Sequence, residues 1–160
     1  MSDTGSAFAG EVVAIYTTPA EGTPTRSQNE VRAVTGQGLE GDRYFFHREP
    51  GSDPGKRSEI TLIEVEAIEA LRKDLGIDFG LGDSRRNVIT RNVPLNHLVF
   101  RRFKVGDVTL EGVRLAEPCG YLEDLTSKGV REALIHRGGL RARIVRDGTI
   151  HVGDAVSPDA

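Results

Sequence analysis

A single cysteine, Cys119, stands in the 160-residue chain. One thiol excludes an internal disulfide framework and every zinc or redox motif built on a C-x-x-C pair. A lone free thiol suits a reducing compartment, so a cytoplasmic protein is expected. No apolar run approaches the roughly 18 residues that a membrane-spanning helix needs, and no membrane association is expected. The first ten residues, M-S-D-T-G-S-A-F-A-G, have neither a basic start nor an apolar stretch and do not read as a secretory signal. The phosphate-loop pattern G-x-x-x-x-G-K and the nucleophile elbow G-x-S-x-G are missing, which leaves nucleotide hydrolysis and serine-hydrolase chemistry without a foothold. The histidines His47, His97, His136 and His151 fall at no zinc-ligand spacing. A net charge of −3 argues against a nucleic-acid partner.

Glycine is abundant, with 19 residues beside 7 prolines and no low-complexity run. That mix calls for many tight turns between short strands and favours a β-rich fold. The segments E-V-V-A-I-Y-T-T, V-R-A-V-T, I-T-L-I and R-R-N-V-I-T read as strands, with a loop from Pro19 to Gln28 and another over residues 47–59. F-K-V-G-D-V-T-L-E-G-V-R-L reads as a strand pair or one long bent strand. One clear helix follows I-T-L-I, with Val65, Ile68, Leu71 and Leu75 on one stripe and Gly76 as its stop. A second, short helix is expected from Leu125 to His136. The run L-R-A-R-I-V-R-D-G-T-I-H-V reads as a hairpin turning at Asp147-Gly148. V-G-D occurs at 105–107 and again at 152–154 and reads as a recurring strand-ending turn. The whole suggests a mainly β fold, α+β in class: a closed or nearly closed β-barrel with a few flanking helices, since closure removes the edges of short strands. The domain is expected over residues 10–156, with flexible tails at 1–9 and 157–160.

Cys119 lies between Pro118 and Gly120 in a loop context. A thiolate there is a nucleophile and a soft metal ligand; the competing reading is a small buried hydrophobe. Arginines cluster near glycine-rich turns: Arg43 after G-L-E-G-D, Arg85 and Arg86 before Asn87, Arg137 before Gly138-Gly139. Their forks match phosphate and carboxylate, and the competing reading is plain surface decoration. His136, at the end of the second helix, is the histidine placed to join such a site or to cap the helix.

Five segments occur in order: G-L-E-G-D-R at 38–43, R-R-N-V-I-T at 85–90, F-K-V-G-D-V at 103–108, E-P-C at 117–119, and R-G-G-L-R-A-R-I-V-R-D-G-T-I-H-V-G-D at 137–154. Together they resemble the MOSC domain, named for the C-terminal domain of molybdenum cofactor sulfurases, over about residues 10–156. The resemblance implies a β-barrel similar to the barrel domain of pyruvate kinase. It implies that Cys119 matches the family cysteine, a molybdenum ligand in related reductases and a proposed sulfur carrier in sulfurases. It also implies that Arg85 and Asn87, with Arg86 beside them, hold the pterin of the molybdenum cofactor. The aminotransferase-like domain of sulfurases is not expected here, nor its pyridoxal phosphate, nor the N-terminal barrel of larger reductases. Two functions follow as expectations. One is a cofactor-binding protein that reduces N-hydroxylated compounds with electrons from a separate flavin or iron–sulfur protein. The other is a carrier that takes sulfur onto Cys119 from a cysteine desulfurase. A non-catalytic binding module, with Cys119 structural, stands as the third.

Overall fold

Short alternating strands dominate the computed structural model, which describes residues 7–20, 22–46, 59–118, 122, 126 and 129–159, with the backbone alone at 44 and 46. The strands are β1 (Gly10–Thr17), β2 (Arg26–Gln28), β3 (Glu30–Val34), β4 (Gly38–Leu39), β5 (Ile60–Glu64) and β6 (Val88–Arg91). After them come β7 (Arg102–Val105), β8 (Val108–Leu115), β9 (Leu140–Arg146), β10 (Gly148–His151) and β11 (Ala155–Pro158). Seven strands close a barrel in the order β11-β7-β8-β9-β5-β6-β1, completed where Gly10 and Glu11 of β1 pair with Val156 and Ala155 of β11. β2 extends the far end of β1, and β10, β3 and β4 form a separate three-stranded sheet. The closed barrel anticipated from the glycine-rich turns is therefore present.

Among the described residues every pairing between named strands is antiparallel except β5 with β6, which are parallel. A parallel neighbour needs a crossover, and α2 (Val65–Leu75) supplies it, following α1 (Arg43–Phe46) in the chain. The barrel interior is filled by one apolar cluster that includes Ile15, Leu62, Phe103, Leu110 and Ile144. A second cluster seals α2 against the outside of β5 and β6 through Ile63, Ile68, Leu71, Phe79 and Ile89. β5 serves both clusters, which is why I-T-L-I is apolar without alternation. α2 stops at Gly76 in the left-handed conformation (φ 64°), as its sequence predicts.

The two V-G-D turns form as expected, with Gly106 at φ 59° and Gly153 at φ 93°. They also meet: a Cβ on Gly106 would lie 2.3 Å from Asp154 Oδ2.

Several expectations need correction. β9 and β10 are not a hairpin: β9 pairs with β5 and β8, while β10 pairs with β3 in the other sheet. Asp147 marks the corner between sheets, its carboxylate accepting the Thr35 backbone N–H at 2.6 Å and the Thr35 hydroxyl. Leu75 is 59% exposed, because the apolar face of α2 ends at Leu71 and is completed by Ala67. The loop from Pro19 ends in β2 rather than continuing through Gln28. Within 125–136 the described helix is the single turn α3 (Val130–Ala133), with Val130 and Leu134 buried. The tail expected at 157–160 starts late, since β11 continues through Pro158, and at the other end Phe8 already packs on the core. The expected loop at 47–59 falls almost wholly outside the described residues. Among the described residues no helix is long and apolar enough to cross a membrane.

Candidate functional site

Two polar clusters sit where β1, β5, β6, β8 and β9 leave the barrel. The first is centred on Asn87, one residue before β6. Its Oδ1 accepts the Thr61 backbone N–H at 3.0 Å and the Thr61 hydroxyl at 3.1 Å; its Nδ2 donates to the Tyr16 carbonyl at 3.1 Å and to Asp42 Oδ1 at 3.3 Å. All four bonding positions of the amide are filled within the protein. Asp42, also buried, accepts the Thr18 N–H at 2.9 Å, while the Arg43 N–H donates to the Thr18 carbonyl at 2.7 Å. The end of β1, the start of α1 and the entry to β6 are thereby locked together.

Two residues before Asn87, Arg85 caps the single turn Leu81–Ser84, its N–H donating to the Gly82 carbonyl at 3.1 Å. Its backbone is left-handed (φ 59°), a conformation that costs a bulky non-glycine residue free energy. Its Nη2 is buried and has no hydrogen-bond partner among the described residues. Arg85 lines a cleft of about 380 Å3 with Thr25, Gly82, Asp83 and Thr126. Burying a cationic nitrogen without an acceptor is expensive, and an anion in that cleft would supply one.

The second cluster surrounds the segment that leads to Cys119. Arg86 Nε donates to the Gly138 carbonyl at 2.8 Å and its Nη2 to the Ala116 carbonyl at 2.9 Å. Ala116 N–H donates in turn to the Gly139 carbonyl at 2.8 Å. Gly138 must be glycine, since a Cβ would lie 2.3 Å from the Ala116 oxygen and 3.0 Å from Pro118 Cδ. One residue further, Glu117 Oε1 accepts the His136 N–H at 2.7 Å while Oε2 meets the His136 ring Nδ1 at 2.7 Å. The His136 backbone N–H first, and its ring second, hold the Glu117 carboxyl below the usual glutamate range. His136 is itself at φ 62°, and its carbonyl accepts from Asn96 Nδ2 at 2.7 Å. Beyond the cysteine, Leu122 is buried in the α2 cluster and its carbonyl accepts the Thr126 hydroxyl at 2.7 Å.

The sequence-derived candidates thus divide. Arg85 faces a cleft. Asn87 and Arg86 are spent on internal bonds and position the chain around it. His136 latches the E-P-C segment from the solvent side. Arg137 is exposed, and its charge lowers the pKa of Glu64, which burial and Glu66 push up more strongly. Arg43 joins the Asn87 cluster through its backbone. Cys119, the expected metal ligand, lies outside the described residues, as does His47. Thr61 and Glu117 were missed as partners because their value lies in contacts 19 to 26 positions away along the chain. Among the described residues no group of three or more histidine, cysteine, aspartate and glutamate side chains could hold a metal ion.

A family model described as the MOSC domain matches residues 46–157. No curated protein matches the chain. Among solved structures, the YuaD protein from Bacillus subtilis superposes with a TM-score of 0.75 at 16% identity, covering 92% of this chain and 94% of that one. YiiM from Geobacillus stearothermophilus gives 0.69 at 14% identity, over 94% and 75%. YiiM from Escherichia coli gives 0.63 at 16%, over 96% and 70%. At such identities these similarities establish the fold, and the family model spans most of the sequence: the chain belongs to the MOSC domain family.

Proposed function

We propose that this protein binds the molybdenum cofactor in the cleft beside Arg85, with Cys119 as the protein ligand to the metal. The observation that carries this reading is Arg85 itself: a left-handed backbone and a buried guanidinium nitrogen with no hydrogen-bond partner among the described residues, against a cleft. A phosphate of the pterin would complete that guanidinium. The bond from the Arg85 N–H to the Gly82 carbonyl holds Arg85 at the cleft, while Arg86, Glu117 and His136 hold the chain that leads to Cys119. Bound there, the molybdenum supplies two-electron redox chemistry. The reaction this reading favours is reduction of an N-hydroxylated compound: two electrons and two protons turn N–OH into N–H and water. The electrons come from a separate flavin or iron–sulfur protein.

Expression in a molybdenum-supplemented host followed by metal and pterin analysis tests it. The expected result is stoichiometric molybdenum and pterin, lost in Cys119→Ser and in Arg85→Gln. Retention unchanged in both variants overturns the reading. Transfer of sulfur to Cys119 from a cysteine desulfurase, seen as a 32 Da mass gain (~1 S) with no molybdenum in the wild type, replaces it by the carrier function.

A further inference from the structure

At the other end of the barrel lies a second polar cleft, of about 480 Å3, lined by Arg32, Lys104, Thr109, Arg146, Thr149 and His151 among others. β8 leaves this cleft at Asp107 and reaches Ala116, the residue held by Arg86, after an 8-residue strand. Asp107 and Ala116 therefore lie about 25 Å apart along the strand.

The cleft is shaped by a register shift. β8 and β9 pair Leu110 with Ile144, yet Thr109 faces Arg146. Val145 is the extra residue of a β-bulge; in an unbroken ladder Val145, an apolar side chain, would face Thr109. Bulges commonly re-aim a side chain beside a functional site. Here the bulge brings a guanidinium to Thr109, whose other neighbour across the ladder is Lys104. A row Lys104–Thr109–Arg146 results, with the two cations about 10 Å apart at the backbone, two strand spacings. Arg32 faces Thr149 across β3 and β10 and closes the opposite wall.

These three cations gather on a chain of net charge −3, and none is in an ion pair among the described residues. Asp147, one of the two carboxylates lining the cleft, is bonded to Thr35 and is also attracted by Arg32, which leaves Lys104 and Arg146 as the cations without a carboxylate against them among the described residues. Asp107 is the other and is exposed. Mutually repelling cations with hydroxyls between them suit an oxyanion, and their spread over two walls suits one with more than one anionic group.

From this bulge-built row we infer a second ligand site, for a small molecule carrying two linked phosphates. It is separate from the cofactor cleft at Arg85. Isothermal titration of the full chain with inorganic pyrophosphate, inorganic phosphate and ADP tests it. The expected result is one-to-one binding of pyrophosphate or ADP, at least tenfold tighter than inorganic phosphate. Affinity should fall at least tenfold in the Lys104→Gln/Arg146→Gln double variant and stay unchanged in Arg85→Gln. ADP binding tighter than pyrophosphate assigns the site to a nucleotide, and the reverse to free diphosphate. Absence of binding overturns the inference, as does binding that survives the double variant. Loss in Arg85→Gln alone also overturns it, because the diphosphate would then occupy the cofactor cleft. Both substituted residues are exposed, so the variants fold, and molybdenum retention in them reads the other site independently.

Discussion

Arg86 and Gly138 are 52 positions apart in sequence and joined by a 2.8 Å hydrogen bond from Nε to the carbonyl. With the second bond to Ala116, one guanidinium ties the entry of β6 to the exit of β8 and the entry of β9. Replacing Arg86 with alanine leaves two carbonyls short of a charged donor, each such bond being worth about 1.5–3 kcal/mol when well sheltered. Arg86 is half-buried, so a loss of about 2 kcal/mol is expected in denaturant titration. Arg86→Lys should recover little of it, because a single ammonium cannot reproduce the two-pronged geometry.

Asn87 gives a sharper expectation. Its amide makes four bonds in a buried place, so Asn87→Ala strands the Thr61 N–H and the Tyr16 carbonyl together. A loss of about 2–4 kcal/mol is expected, with no compensation from added cofactor if the amide acts through position rather than contact. Chemical denaturation with and without the loaded cofactor measures both parts.

How far these roles were legible in the sequence depends on their range. The Gly76 helix stop, the buried strand I-T-L-I and the V-G-D turns are local consequences of residue type, and they formed as read. The Asp147-Gly148 hairpin did not, because a turn signal says that the chain bends and not which strand it joins. β10 finds β3, more than a hundred residues earlier, and Thr35 holds the corner. Arginine, asparagine and histidine at 85–87 and 136 were found by composition and resemblance. Which of them faces a cleft and which holds the chain depends on carbonyls supplied from distant segments. The Arg146 register was equally hidden, since a bulge is invisible until the partner strand is known.

The paired glycines before β9 carry the next expectation. Gly139 has φ 111°, and a Cβ there would lie 2.0 Å from the Leu62 oxygen. Gly139→Ala therefore meets both strained backbone and a clash with β5, and should cost at least about 2 kcal/mol. Gly138→Ala should instead displace Ala116 and Pro118, so its larger effect is expected on molybdenum retention. Thermal melts and metal content of the two variants separate these outcomes.

The Glu117–His136 latch predicts a pH dependence. The folded-state pKa of Glu117 is depressed from 4.5, so its contribution is complete above that value and is lost as pH falls through the lower folded value. Both side chains are well exposed, which limits the effect to less than about 1 kcal/mol. Glu117→Gln should flatten the stability profile as pH falls below the ordinary glutamate value of 4.5 while leaving it nearly unchanged near neutrality. A profile as steep as that of the wild type would remove the latch as the cause.

Arg85 offers the most discriminating variant, because a residue kept for function at the expense of stability should become more stable when it is removed. Arg85→Gly relieves a left-handed backbone at a residue where only the side chain resists it, and it removes a buried cationic nitrogen that has no acceptor among the described residues. Glycine also loosens the unfolded chain, which takes back part of the gain. The net expectation is a rise of about 0.5–1.5 kcal/mol in the cofactor-free protein. The same substitution should abolish molybdenum and pterin retention. If Arg85 were a surface residue without a ligand, the relaxed backbone would still raise stability while the molybdenum content stayed unchanged. If it were an internal prop like Arg86, stability would fall. Denaturation of the cofactor-free wild type and variant, read beside their metal content, distinguishes all three cases.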